Sequence, residues 1–82
     1  MDSEIYGRAL RIIARAGGVR PDELEPRTDV FEEGYLDSFA AIALVVELAE
    51  EFGLELDIAD VSREQIASPE KTALFIEDRL RK

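Results

Sequence analysis

The residues best suited to chemistry in this chain are the neighbours Asp37 and Ser38, which stand where an acidic loop gives way to an apolar stretch. A serine hydroxyl can act as a nucleophile, cap a helix or accept a covalent group. A nucleophilic serine needs a base and oxyanion donors, but the chain has no histidine, and no glycine elbow surrounds Ser38. We therefore expect no catalysis by the chain itself.

The acidic loop before Ser38 could be read as a metal site. A calcium-loop template laid on residues 29–40 places Gly34 correctly at the sixth position. The third and twelfth positions, which need oxygen ligands, hold Phe31 and Ala40. Thiolate and imidazole ligands are also excluded, because the chain has neither cysteine nor histidine. We expect no metal.

The charge of the chain indicates the kind of partner it meets. Nineteen acidic and ten basic residues give a formal net charge of −9, which repels nucleic acid and anionic lipid and favours basic protein surfaces. The longest apolar stretch, Phe39–Val46, is too short to span a bilayer, and Met1–Arg20 lacks the apolar centre of a signal peptide. These features predict a soluble, monomeric, cytoplasmic protein that binds no nucleic acid and does not insert into membranes.

Apolar periodicity predicts an all-α protein. Helix-spaced apolar residues run from Ser3 to Ala16, and a second such stretch begins at Asp37 or Ser38 and ends at Phe52. Between them, residues 19–36 have no period and contain two prolines, which predicts a long ordered loop of the kind that often carries function.

The last third of the chain predicts two more helices. Residues 59–66 carry a weak apolar pattern, which favours a short third helix. Ser68 before Pro69 is a strong start signal for a fourth helix from Pro69 to Leu80. The 82 residues are therefore predicted to form one domain, a four-helix bundle with a long first loop and a short third helix.

Two interpretations of Ser38 follow from its place at a helix start. In the first, Asp37 and Ser38 merely cap the helix, since both residue types are favoured there. In the second, the free N–H groups and positive dipole end of the helix favour a phosphate attached to the Ser38 hydroxyl. The loop that leads to this point and the aromatic Phe39 that follows favour the second interpretation.

The stretch "DVFEEGYLDSFAAIALVVELAEEFGLEL" resembles the centre of acyl carrier proteins, and the order of the predicted helices agrees with that family over nearly the whole chain. "GYLDS", "EEFG" and "SPEK" are most similar to stand-alone D-alanyl and aminoacyl carrier proteins. The resemblance implies that 4′-phosphopantetheine from coenzyme A is attached to Ser38, beside the acid Asp37. Phe39 replaces the family's usual leucine or methionine, and Ala40 replaces a frequent acid, which favours a dedicated pathway over primary fatty-acid synthesis.

The resemblance also implies that the second helix is the docking face for partner enzymes. Glu47, Glu50 and Glu51 would meet basic patches, and Phe39 and Val46 would supply apolar contacts. Two alternatives remain open: the glutamates can be an ordinary solvated helix face, and Phe39 can pack beneath the long loop.

The predicted function is an acyl or aminoacyl carrier that holds its cargo as a thioester, for a dedicated biosynthetic or cell-envelope pathway. Its expected partners are a phosphopantetheinyl transferase, an adenylating ligase, and an acyltransferase or synthase. The alternative is an unmodified helical adaptor for a basic partner. In that case Ser38 is only a cap, and its replacement by alanine costs about 1 kcal/mol of stability.

Overall fold

The structure, a computed structural model, describes residues 2–81. Its first helix, α1, spans Ser3–Gly17. The carboxylate of Asp2 caps this helix by accepting hydrogen bonds from the N–H groups of Glu4 and Ile5, at 2.8 and 3.1 Å. The helix ends at Gly18, whose φ of 70° is the left-handed conformation in which glycine is favoured. The prediction of a first helix is confirmed, with its end one residue later.

The other two helices also agree with the sequence pattern. Helix α2 spans Ser38–Phe52 and ends at Gly53, which has a φ of 64°. Helix α3 spans Pro69–Leu80. The hydroxyl of Ser68 caps α3 by accepting a 3.1 Å hydrogen bond from the N–H of Lys71. The prediction that Ser68 and Pro69 start this helix is therefore confirmed.

The long loop between α1 and α2 is ordered by buried side chains and backbone hydrogen bonds. It begins with a short 3₁₀ turn at Pro21–Glu23. The N–H of Val30 donates to the carbonyl of Ala67 at 2.8 Å, and the N–H of Leu36 donates to the carbonyl of Val30 at 3.0 Å. The loop residues buried in the core are Leu24, Val30, Phe31 and Leu36. These contacts hold the loop that leads to Ser38.

The predicted short third helix over residues 59–66 is wrong. Two 3₁₀ turns, Ile58–Asp60 and Arg63–Ile66, replace it. Each turn has its own cap: Asp57 accepts from the N–H of Ala59, and Ser62 accepts from the N–H of Gln65. The backbone between the turns is extended, so one helix cannot run through it. Residues 2–81 therefore form three α-helices with 3₁₀ turns and no strand, rather than a four-helix bundle.

The core lies where α1 packs against both α2 and α3. Its largest fully buried aliphatic side chains are Ile13, Leu44, Leu48 and Ile76. Leu80 lies four residues after Ile76, but its side chain is substantially exposed in the last turn of α3. Within residues 2–81, each helix is too short or too polar to cross a bilayer.

Candidate functional site

Asp37 and Ser38 divide two roles between them at the start of α2. The carboxylate of Asp37 accepts a 2.8 Å hydrogen bond from the N–H of Ala40, so Asp37 is the residue that caps the helix. Ser38 is the first helical residue, and its exposed side chain has no hydrogen-bond partner among residues 2–81. The hydroxyl is therefore free to take part in chemistry without disturbing the cap.

Most other aliphatic hydroxyl groups in the described residues are occupied or inaccessible. Ser62 and Ser68 each accept a backbone N–H as helix or turn caps, and Thr28 accepts the N–H of Glu25. Thr72 is fully buried. Ser3 is the exception, because it is exposed and follows the cap Asp2 just as Ser38 follows Asp37.

The repeat of this arrangement at α1 means that local helix geometry alone does not distinguish Ser38 from Ser3. The apolar surface after Ser38 does distinguish it. Phe39, Ile42 and Val46 are 84%, 52% and 54% exposed, and all three belong to the first nine residues of α2. The residue directly after Ser3 is the acid Glu4, whereas the residue directly after Ser38 is the aromatic Phe39.

The exposure of these side chains resolves the open alternative for Phe39. Phe39 does not pack beneath the long loop, because it is the most exposed large apolar side chain among residues 2–81. Ile42 and Val46 are about half exposed and line a groove between α2 and the loop that follows it. The exposure of Val46 leaves it accessible for the apolar contacts predicted from the resemblance.

The three glutamates predicted to meet partners differ in their surroundings. Glu47 is paired with Arg15 of α1 at 3.2 Å, and Glu51 is paired with Arg8 of α1 at 2.8 Å. Glu50 is exposed and has no ion pair among residues 2–81. The sequence shows the spacing of the arginines but not the rotation of α1 against α2, so this pairing could not be foreseen. Whether these glutamates meet a partner stays a prediction.

The described residues contain no group of three or more aspartate, glutamate, cysteine or histidine side chains placed to hold a metal ion. The free hydroxyl of Ser38 is thus the group at this site that can form a covalent bond to a ligand. The exposed apolar residues beside it can make contacts with a protein that brings the ligand.

Comparison with known proteins identifies the family to which the chain belongs. Residues 8–76 match the family described as "Phosphopantetheine attachment site". The chain belongs to this family. The matched stretch contains Ser38 and leaves out Ser3.

A curated relative agrees with this assignment. The chain is 34% identical over 75 residues to a D-alanyl carrier protein of Staphylococcus saprophyticus, covering 92% of this chain and 96% of the relative. The fold is similar to the solution structure of a holo acyl carrier protein from Nitrosomonas europaea. That comparison has a TM-score of 0.80 and 21% identity, and it covers 99% of this chain and 100% of the other.

The protein is therefore a carrier of the phosphopantetheine type, and 4′-phosphopantetheine is its covalent cofactor. A carrier protein is acted on by enzymes and is not an enzyme itself, as the lack of a catalytic base beside Ser38 led us to expect. The prediction of a carrier is confirmed. The alternative of an unmodified adaptor receives no support from these relatives.

Proposed function

We propose that this carrier holds an acyl or aminoacyl cargo on a phosphopantetheine arm attached to Ser38, and that the 82 residues act as one carrier domain. The observation that carries the proposal is the exposed, unbonded Ser38 hydroxyl at the first position of α2. Once attached, the arm supplies a terminal thiol, on which cargo is held as a thioester. The lack of cysteine in the chain is then no obstacle.

The chain's own residues suit Ser38 to this role. Asp37 fixes the first turn of α2 through its hydrogen bond to Ala40. The remaining N–H groups of that turn and the positive end of the helix dipole favour a negatively charged phosphate ester on Ser38. Leu36, buried just before the helix, ties the start of α2 to the core. Ser38 is thus held at a fixed place with its side chain in solvent.

The partners we propose are a phosphopantetheinyl transferase, an adenylating ligase, and an acyltransferase or synthase. Phe39 and Val46 are exposed beside Ser38 and can enter apolar pockets on such enzymes. Glu50 can meet a basic group, since its carboxylate has no ion pair among residues 2–81. Docking through Glu47 and Glu51 stays a prediction, and it would compete with their arginine partners.

The relative named as a D-alanyl carrier supports a small aminoacyl cargo and a cell-envelope or other dedicated pathway. We propose an amino acid as the first cargo to test, with D-alanine as the leading candidate. A cytoplasmic, monomeric protein remains the expectation from the sequence.

The test is transfer of phosphopantetheine from coenzyme A by a promiscuous phosphopantetheinyl transferase. A phosphorus–oxygen bond forms at Ser38, adenosine 3′,5′-bisphosphate leaves, and the serine proton passes to the transferase. We expect intact-mass spectrometry to show one addition of about 340 Da, the mass of the arm. Ser38→Ala should abolish the addition, and the matched control Ser3→Ala should retain it. Addition that persists in Ser38→Ala would show that the site is wrong.

A further inference from the structure

Gly17, the last residue of α1, is a glycine that its own backbone conformation does not require. The left-handed turn that ends the helix is made by Gly18, with a φ of 70°, whereas Gly17 has no positive φ. At a helical position alanine is more stable than glycine, because glycine loses more backbone freedom on folding. The reason for a glycine at position 17 is therefore sought in its contacts with the rest of the chain.

The segment that leads to the attachment site lies directly against Gly17. A Cβ atom at position 17 would lie 3.4 Å from Cβ of Tyr35, 3.5 Å from the carbonyl oxygen of Tyr35 and 3.8 Å from Cδ2 of Leu36. These are ordinary van der Waals distances, so a methyl group fits. A larger side chain adds atoms beyond Cβ where the Tyr35 backbone is already in contact. We call Tyr35 and Leu36 the lead-in segment, because Asp37 and Ser38 follow them directly.

The lead-in segment is also fixed on its other side, away from α1. The N–H of Leu36 donates to the carbonyl of Val30 at 3.0 Å, and the N–H of Val30 donates to the carbonyl of Ala67 at 2.8 Å. The side chains of Leu36 and Val30 are both buried in the core. The lead-in segment is thus held between the last turn of α1 and Val30, and a larger side chain at position 17 would displace it toward the start of α2.

A small displacement of the lead-in segment would reach the helix cap. The carboxylate of Asp37 accepts its 2.8 Å hydrogen bond from the N–H of Ala40. Such bonds weaken when the donor and acceptor are more than about 3.2 Å apart, so a shift of about 0.5 Å is enough to weaken the cap. Ser38 is the first residue of α2 and would lose its fixed place together with the cap.

Resting on the proposed attachment at Ser38, we propose that Gly17 is a positioning residue for transfer of the arm. Gly17 acts through Tyr35 and Leu36 and does not touch the arm itself. Its small size lets the lead-in segment lie close to α1, which keeps Asp37 on its cap and Ser38 in the place where a transferase reacts with it. Position 17 has room for one methyl group and no more.

The first test measures kcat and KM separately for arm transfer from coenzyme A by a promiscuous phosphopantetheinyl transferase. Gly17→Val should lower kcat about tenfold to a hundredfold, because a reacting group displaced by about 1 Å loses that much rate. The KM for the carrier should stay within about twofold, because no exposed side chain of α2 is altered. The conservative variant Gly17→Ala should keep the kcat of the unaltered protein.

The separation of kcat from KM distinguishes positioning from a loss of stability. A carrier that is partly unfolded lowers the concentration of competent substrate, so its apparent KM rises while kcat is unchanged. Circular dichroism checks that each variant is folded. If Gly17→Val does not fold, Gly17→Ser takes its place, since it adds one atom beyond the methyl group, and its kcat should fall about twofold to fivefold.

Gly7 supplies the matched control, because it is a helical glycine of the same helix α1. A Cβ atom at position 7 would meet only a guanidinium nitrogen of Arg11, at 3.8 Å, which is the far end of an exposed, flexible side chain. Gly7→Val makes the same change to the helix without contact with the lead-in segment. Its kcat and KM should both stay within about twofold of the unaltered values.

The second test follows the cap itself by amide hydrogen exchange in nuclear magnetic resonance. The N–H of Ala40 should exchange about tenfold faster in Gly17→Val than in the unaltered protein, because the bond to Asp37 is weakened. In Gly7→Val and Gly17→Ala the exchange of this N–H should be unchanged.

The outcomes separate this inference from the proposed attachment. An unchanged kcat in Gly17→Val, a rise in KM alone, or an equal fall of kcat in Gly7→Val would overturn the role of Gly17 while attachment at Ser38 stands. A fall of kcat in Gly17→Ala as large as that in Gly17→Val would also overturn it, because the methyl group fits. Absence of any loading of the unaltered chain would overturn both proposals.

Discussion

The carboxylate of Asp37 caps α2 through a 2.8 Å hydrogen bond from the N–H of Ala40, and it leaves the hydroxyl of the next residue, Ser38, unbonded and exposed. Two adjacent polar residues thus perform separate tasks. Asp37 stabilises the first turn of α2, and the Ser38 hydroxyl is available for attachment. This division lets a covalent group be added at Ser38 without loss of the capping interaction.

The separation of tasks can be measured as a difference in stability. Ser38→Ala should change the free energy of unfolding by less than about 0.5 kcal/mol, as expected for an exposed side chain without a partner. Asp37→Ala should lower it by about 1 kcal/mol, because a helix cap is lost. Urea unfolding followed by circular dichroism tests both. A loss of about 1 kcal/mol in Ser38→Ala would instead support the interpretation of that serine as a cap.

The contact between Arg8 and Glu51 should stabilise the packing of α1 on α2. Arg8 donates to the Glu51 carboxylate and to the Glu51 carbonyl, each at 2.8 Å, and its guanidinium lies 4.4 Å from the ring centre of Phe52. We expect Arg8→Ala to lower the free energy of unfolding by about 1 to 2 kcal/mol. Arg15→Ala removes one exposed 3.2 Å pair and should cost less than about 0.5 kcal/mol. Equal losses would contradict this ranking.

Thr72 contains a buried polar atom that the fold does not satisfy. Its hydroxyl is fully buried in α3 and has no hydrogen-bond partner among residues 2–81. Thr72→Val keeps the shape and removes the hydroxyl, so it should raise stability by about 1 kcal/mol and the melting temperature by about 4 to 8 °C. Thr72→Ser keeps the hydroxyl and loses the methyl group, so its melting temperature should fall. A lower melting temperature for Thr72→Val would show that the hydroxyl is satisfied.

Tyr6 should make stability depend on pH in the alkaline range. Burial raises the pKa of its hydroxyl above the ordinary 10.0, and the carboxylate of Glu70 raises it further. Because the folded state holds this proton more tightly than the unfolded state, the stabilisation is complete below about pH 10 and is lost as the pH rises through the folded-state pKa. Tyr6→Phe should therefore lose less stability than the unaltered protein between about pH 9 and 11.

The same shift can be followed by the ultraviolet absorbance of tyrosinate. The chain has two tyrosines, so Tyr35→Phe leaves Tyr6 as the only one that absorbs in this titration. Glu70→Gln in that background should move the midpoint of Tyr6 to lower pH. A midpoint at or below 10.0 in the Tyr35→Phe protein would contradict the assigned effect of burial.

The helices and the attachment candidate were predictable because their signals are local. Gly18 ends α1 and Gly53 ends α2. Helix α3 starts at the Ser68–Pro69 signal, and α2 starts at the Asp37–Ser38 pair, as the sequence predicts.

The wrong prediction of a single helix over residues 59–66 also has a local cause. Asp57 and Ser62 each cap a separate short turn, and the Ser62–Gln65 capping box was a readable sign that a new turn begins there.

What sequence periodicity could not supply is the rotation of one helix against another. Helical spacing places Arg8 and Arg15 outside the apolar face of α1, but it does not show that they lie against the acidic side of α2, where they pair with Glu51 and Glu47. Likewise, Ile42 and Val46 fit an apolar arc, but whether a neighbour covers them depends on the loop after α2. Both features are tertiary, so the pattern within a single helix does not determine them.

The central claim is tested most directly by locating the added mass within the loaded protein. Tryptic cleavage places Ser3 in residues 1–8 and Ser38 in residues 28–63, and fragment ions of the second peptide separate Ser38 from Ser62. After treatment with coenzyme A and a phosphopantetheinyl transferase, we expect the addition of about 340 Da on Ser38 alone. An addition on Ser3 or Ser62, or an unmodified peptide 28–63 after complete reaction, would contradict the account.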